Sequence, residues 1–102
     1  MLKVIFHSEA YKELEQARAW YEEQAQGLGN QFLEEVDRAV EMIRESPYCW
    51  LSYAAHTHRF LFHSFPFAII YWHSDSKIQV VAIMHLKHKP GYLSHRVSQC
   101  GE

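Results

Sequence analysis

The sequence predicts an α+β domain in which two helices pack on one face of an antiparallel-rich sheet, in the order β-α-α-β-β-β. Three observations predict it. Three strand-like runs, residues 58–63, 67–73 and 78–85, are separated only by Ser64-Phe65-Pro66 and by Ser74-Asp75-Ser76-Lys77. Connections this short join antiparallel neighbours. Ahead of the three runs, two long segments repeat their apolar residues at helical spacing, and a short alternating run opens the chain.

In that opening run, residues 2–7, Leu2, Val4 and Phe6 alternate with Lys3, Ile5 and His7, the pattern of a further strand of the same sheet. Ser8 then offers a hydroxyl to cap the helix that follows. Glu9 places a carboxylate in the first turn, where exposed N–H groups and the helix dipole favour it. The first helix is expected over residues 9–26, because Ala10, Leu14, Ala17 and Tyr21 step by 4, 3 and 4 to make one stripe with Trp20 at its edge. Trp20 and Tyr21 therefore read as core and rim packing. Gly27-Leu28-Gly29 ends this helix, since glycine readily takes the left-handed conformation that turns the chain. The second helix is expected over residues 30–45, with Phe32, Leu33, Val36, Ala39, Val40 and Ile43 on its stripe and Pro47 as its stop. Residues 48–57 read as an irregular connection.

The later strands are apolar on both sides. Phe67, Ile69 and Tyr71 oppose Ala68, Ile70 and Trp72, and strict alternation sets Ile78, Val80, Ala82 and Met84 against Val81 and Ile83. Such a sheet needs cover on both faces. Two helices cover one, and the sequence predicts nothing firm for the other, since residues 48–57 are irregular and the tail after Pro90 is short and polar. The expectation is a protein that works with a partner over that face, by groove filling, by strand addition or by forming a homodimer.

With 102 residues the chain has room for one domain, residues 1–102, and one modest core. An apolar content of 48% with 22% charged residues is that of an ordinary globular protein. No apolar run approaches the roughly 20 residues of a membrane span, so no membrane partner is expected. The first residues lack a secretory signal pattern, which makes the cytoplasm the default compartment. There Cys49 and Cys100 read as reduced thiols.

The net charge of −2 hides an asymmetry. Residues 1–46 carry five bases against ten acids, a net of −5, whereas residues 47–102 carry five bases against two acids, a net of +3, and seven of the eight histidines. A basic, histidine-rich strand half suits an anionic partner, either nucleic acid or an acidic polypeptide.

That half also holds the chemical candidates. Metal-independent RNA cleavage needs a base for the 2′-hydroxyl, an acid for the leaving oxygen and cations for the phosphate. His63, His85 and His88 are the acid or base candidates, Arg59, Lys87 and Lys89 the cations, and Tyr92 a stacking or donor group. His85 stands out because it ends an otherwise apolar strand beside the basic cluster. His56 with His58, and His85 with His88, form the weak outline of a metal site; residues three apart do not share a strand face, so no metal and no cofactor is expected.

Taken together, AWYEEQAQGLGNQFLEEV (residues 19–36), Pro47 after the second helix, the Arg59 strand, the FPF turn (residues 65–67) leading to Ile70-Tyr71, IQVVAIMH ending at His85, and KPGYL followed by Arg96 make a recognisable series. In order and spacing they resemble the ParE/RelE superfamily of toxins from type II toxin–antitoxin systems, closest to its ParE-like, plasmid-stabilisation branch, over about residues 3–96. The resemblance implies a toxin held by a cognate antitoxin that wraps it with an extended segment. ParE-like members are associated with poisoning DNA gyrase without nuclease chemistry, whereas RelE-like members cleave messenger RNA on the ribosome. A degenerate, non-toxic binding module is a third reading. Where many relatives have paired arginines after the last strand, this chain has Lys87, His88 and Lys89, which keep the charge with less bidentate grip on phosphate. Arg59, Lys87, Lys89 and Arg96 are therefore the expected target-binding residues.

Overall fold

The computed structural model describes residues 2–53 and 56–87; His88, Lys89, Tyr92, Arg96 and Cys100 lie outside these residues. The elements are β1 (Lys3–Phe6), α1 (Ser8–Gln24), α2 (Leu28–Glu45), β2 (Leu51–Ser52), β3 (His58–Leu61), β4 (Phe67–His73) and β5 (Lys77–His85). One sheet runs β1-β5-β4-β3-β2. The first strand pairs in parallel with the last, from Lys3 opposite Lys77 to Phe6 opposite Val80, and the other three pairings are antiparallel. Both helices cover the same face of the sheet. Ala10, Leu14 and Ala17 of α1 and Phe32, Val36, Ala39 and Ile43 of α2 share a buried core with Phe60, Ile69, Tyr71, Ile78, Val80 and Ile83.

The helix ends differ from their expected form. His7, not Ser8, caps α1: its backbone is extended and its Nδ1 accepts the Glu9 N–H at 3.0 Å. Its own N–H donates to the Val80 carbonyl at 2.9 Å, so this residue still belongs to the sheet when the helix begins. Helix α2 starts at Leu28 rather than Asn30, behind Gly27 with a left-handed φ of 87°. No side chain of α2 caps it; the Glu22 carboxylate of α1 does, accepting from Gly27 N at 3.0 Å and Gly29 N at 2.9 Å. These two bonds hold the Glu22 carboxyl below its ordinary value. The bend between the helices is thus fixed by hydrogen bonds as well as by glycine.

Strict alternation fails in β5. Ile70 faces Ala82 while Tyr71 faces Val80, so Val81 is an additional residue, a β-bulge. The bulge advances the phase of everything after it. Ile83, expected on the face away from Val80, joins Val80 in the helix-covered core, while Val81, Ala82 and Met84 pack on the other side with Ala68 and Ile70.

That other side is not the open apolar face that the sequence predicts. Ala68, Ile70, Val81, Ala82 and Met84 are all buried. Tyr53 and Trp72 pack on them, and the Tyr53 hydroxyl reaches the Met84 sulfur at 3.6 Å. Tyr53 belongs to the span read as irregular, which instead contributes the two-residue strand β2 paired with Arg59 and His58. An uncovered face therefore supplies no reason for a partner.

Candidate functional site

The turn from β3 to β4 is the centre of the site. Phe67 N donates to the Phe65 carbonyl at 2.8 Å around Pro66, whose ring fixes φ and leaves no N–H to satisfy. Phe62 N donates to the Phe67 carbonyl at 2.9 Å, and Leu86 N to the Pro66 carbonyl at 3.0 Å. Beneath it lies a cluster of rings: Phe32 is 5.5 Å from Tyr21, 5.1 Å from Phe65 and 5.3 Å from Phe67, and Tyr21 is 4.7 Å from Phe65. Contacts of this kind add directional preference to apolar burial, so both helices and the turn are held in one arrangement.

A groove runs along each side of this turn. The first, about 580 Å³, lies between α1 and the end of β5 and is lined by Glu13, Trp20, Tyr21, Phe67, Ile83 and His85, among others. It begins where the pairing of β1 with β5 ends, at Phe6 opposite Val80. The Ile83 N–H, pointing out of the sheet edge, is taken by Glu13 Oε1 of α1 at 3.0 Å. Trp20, 56% exposed, forms the outer wall, edge-on to Tyr21 at 5.1 Å.

The second groove, about 480 Å³, lies between α2 and the β2–β3 edge, with Arg38, Met42, Trp50, Leu51, Arg59 and His63 in its walls. A carboxylate again satisfies the strand edge. Glu35, only 6% exposed, accepts from the backbone N–H of His63 and from that of Ser64 at 3.0 and 3.1 Å. These two acids, which hold backbone N–H groups at the grooves, are the positions that sequence reasoning missed. A signal was present: each stands three residues after a buried stripe position, Glu13 after Ala10 and Glu35 after Phe32, where a solvated acid does not belong.

The predicted site residues are distributed around the molecule. His63 lines the α2-side groove and His85 the α1-side groove. Arg59 lines the α2-side groove with His63, its guanidinium 5.7 Å from the Tyr53 ring centre and its Nε buried without a hydrogen bond. The His85 ring stands edge-on to Phe67 at 5.1 Å, and its Nδ1 accepts the Lys87 N–H at 3.2 Å. In a neutral His85 that bond leaves the ring proton on Nε2. Lys87 is exposed just past β5. His56 has a left-handed φ of 64° and precedes β3, so it does not share a strand face with His58. Among the described residues, no group of three His, Cys, Asp or Glu side chains is placed to hold a metal ion. No described helix is long and apolar enough to cross a membrane.

The helical hairpin on one face, the parallel first strand beside the last and the antiparallel remainder define a two-layer α+β domain of the RelE/ParE-like fold. Among solved structures, it is similar to a chain described as "Chromosomal ParDE TA system from P. aeruginosa", with a TM-score of 0.61 over 85% of this chain and 98% of that one. The two share 15% sequence identity, so the likeness is one of fold. No family model and no curated protein matches the sequence.

Proposed function

We propose that this protein is the toxin of a type II toxin–antitoxin pair, which slows growth by binding a cellular target of the DNA-gyrase kind and is neutralised by a cognate antitoxin. The toxin–antitoxin reading draws on the likeness to a ParDE chain and on the sequence series that resembles ParE. Binding rather than RNA cleavage is supported by one observation: the described acid–base candidates, His63 and His85, line different grooves, so Arg59 shares a groove with His63 but not with His85. General acid–base cleavage requires those groups within hydrogen-bond reach of one phosphodiester. Arg59, Lys87, Lys89 and Arg96 act in this reading as charges that hold the target.

The antitoxin contacts the α1-side groove. An extended segment laid beside β5 continues the course that β1 abandons at Phe6, with its backbone carbonyl replacing Glu13 at the Ile83 N–H and an apolar side chain beside Trp20. Induced expression tests the whole reading. Growth slows, the paired charge reversal Lys87→Glu and Lys89→Glu relieves the arrest, and His88→Ala leaves it largely intact. Arrest that survives the charge reversal in a folded protein contradicts the assignment of the basic cluster.

A further inference from the structure

Residues 47–52, between α2 and β3, are tied to the sheet at three points, and two of them are histidines. The Tyr71 hydroxyl donates to the Pro47 carbonyl at 2.7 Å. His58 Nδ1 lies 3.0 Å from the Trp50 carbonyl, which only accepts, so Nδ1 carries a proton. Tyr48 stands edge-on to His73, with ring centres 4.7 Å apart and planes at 87°. The two histidines also meet each other. His58 stacks on Tyr71 at 5.3 Å and lies 5.0 Å from His73, whose Nδ1 is buried without a hydrogen-bond partner.

We infer that the His58–His73 pair is a proton-operated clasp: with His73 neutral it holds residues 47–52 against the sheet, and adding a proton to His73 releases them. The geometry leaves the new charge poorly accommodated, since an imidazolium at this position lies 5.0 Å from a second imidazole and has its Nδ1 buried without a hydrogen-bond partner. Among the described residues, the titratable and charged groups facing it are His58 of β3, Tyr48 of the connecting segment, Tyr71 of its own strand and Asp75 of the following turn. The Lys77 ammonium, next to that turn, sits over the Trp72 ring instead. Burial keeps the His73 imidazole below its ordinary value, charge on His58 adds to this, and the Ser74 backbone and Asp75 offset only part. Because the folded value is depressed, the stabilisation is fully present above the unfolded value of about 6.5 and is lost as the pH falls through the folded value.

Release has a definite consequence. Cys49, Trp50 and Leu51 form one wall of the α2-side groove, and Leu51 and Ser52 pair with Arg59 and His58. Opening the clasp therefore widens that groove and uncovers the outer edge of β3, a pH-controlled change in the surface presented to a partner. Backbone hydrogen exchange on the isolated chain, corrected for intrinsic rates, reads it directly. Between about pH 7.5 and about pH 5.5, one unit below the unfolded value, protection of residues 48–52 falls by up to about tenfold, while α1 stays protected. His73→Phe, which keeps a ring against Tyr48, abolishes the local change. The same pH-dependent loss in His73→Phe, or a loss spread over the whole chain, overturns the clasp. An NMR titration of the wild-type His73 ring gives a check that needs no variant: residues 48–52 that stay protected after His73 has taken its proton also overturn it.

Discussion

Removing the Glu35 carboxylate tests the idea that a helix acid holds the turn on which both grooves depend. In Glu35→Ala the backbone N–H groups of His63 and Ser64 lose their acceptor in a place that is 6% exposed, so water replaces it poorly. Hydrogen bonds to a charged group contribute about 1.5 to 3 kcal/mol each. Allowing for partial rehydration of Ser64 at the turn, the loss of two donors' partner amounts to about 3 kcal/mol. For a domain of this size, each kcal/mol lowers Tm by about 4 to 8 °C, so a drop of roughly 12 to 24 °C is expected. Glu35→Gln keeps one acceptor oxygen and falls about halfway. Glu9→Ala is the control, because alanine keeps the backbone N–H that His7 accepts and the lost carboxylate makes a surface pair with Lys12 at 3.3 Å, of a kind that contributes about 0 to 1 kcal/mol. Thermal unfolding followed by circular dichroism measures all three. A Glu35→Ala protein as stable as Glu9→Ala refutes the reasoning.

Two further predictions concern the helix junction and the buried tyrosine. In Gly29→Ala the new Cβ falls 2.8 Å from the Arg18 carbonyl oxygen and 2.9 Å from Glu22 Oε1. The helix preference of alanine returns about 0.5 to 1 kcal/mol against roughly 1 to 3 kcal/mol of overpacking, so denaturant titration shows a net loss. Tyr71→Phe leaves the Pro47 carbonyl without its donor and costs about 1 to 2 kcal/mol by the same titration. Burial also pushes the Tyr71 hydroxyl well above the usual phenol value, so the bond persists to high pH and the difference between Tyr71→Phe and wild type is constant from neutral to mildly alkaline solution.

The helices and the three main strands were legible because their signals are local. Period-3.6 stripes, a glycine pair, a proline stop and two short turns each act within a few residues, and β4 falls at the expected residues 67–73. Val81 was not legible, because a bulge leaves no mark in an apolar run where both faces are buried; only the pairing with β4 exposes it. The cover of the second face was missed for a similar reason. Tyr53 sits in a stretch without periodicity, and its position over Met84 is set by β2 pairing with β3. The chemical candidates were legible as residue types but not as a constellation. Alternation along β4 places Tyr71 and His73 together, yet His58 joins them only through the register that sets it opposite Tyr71.

Mapping messenger RNA 5′ ends after induced expression tests most directly whether this protein binds its target or cuts RNA. Growth arrest with no new 5′ ends relative to an uninduced control is the predicted result, unchanged in a folded His85→Ala variant. New ends at defined codon positions that disappear in folded His85→Ala or His88→Ala, where loss of a general acid or base removes about 10² to 10⁴ in rate, would contradict the binding mechanism and make this chain a ribonuclease.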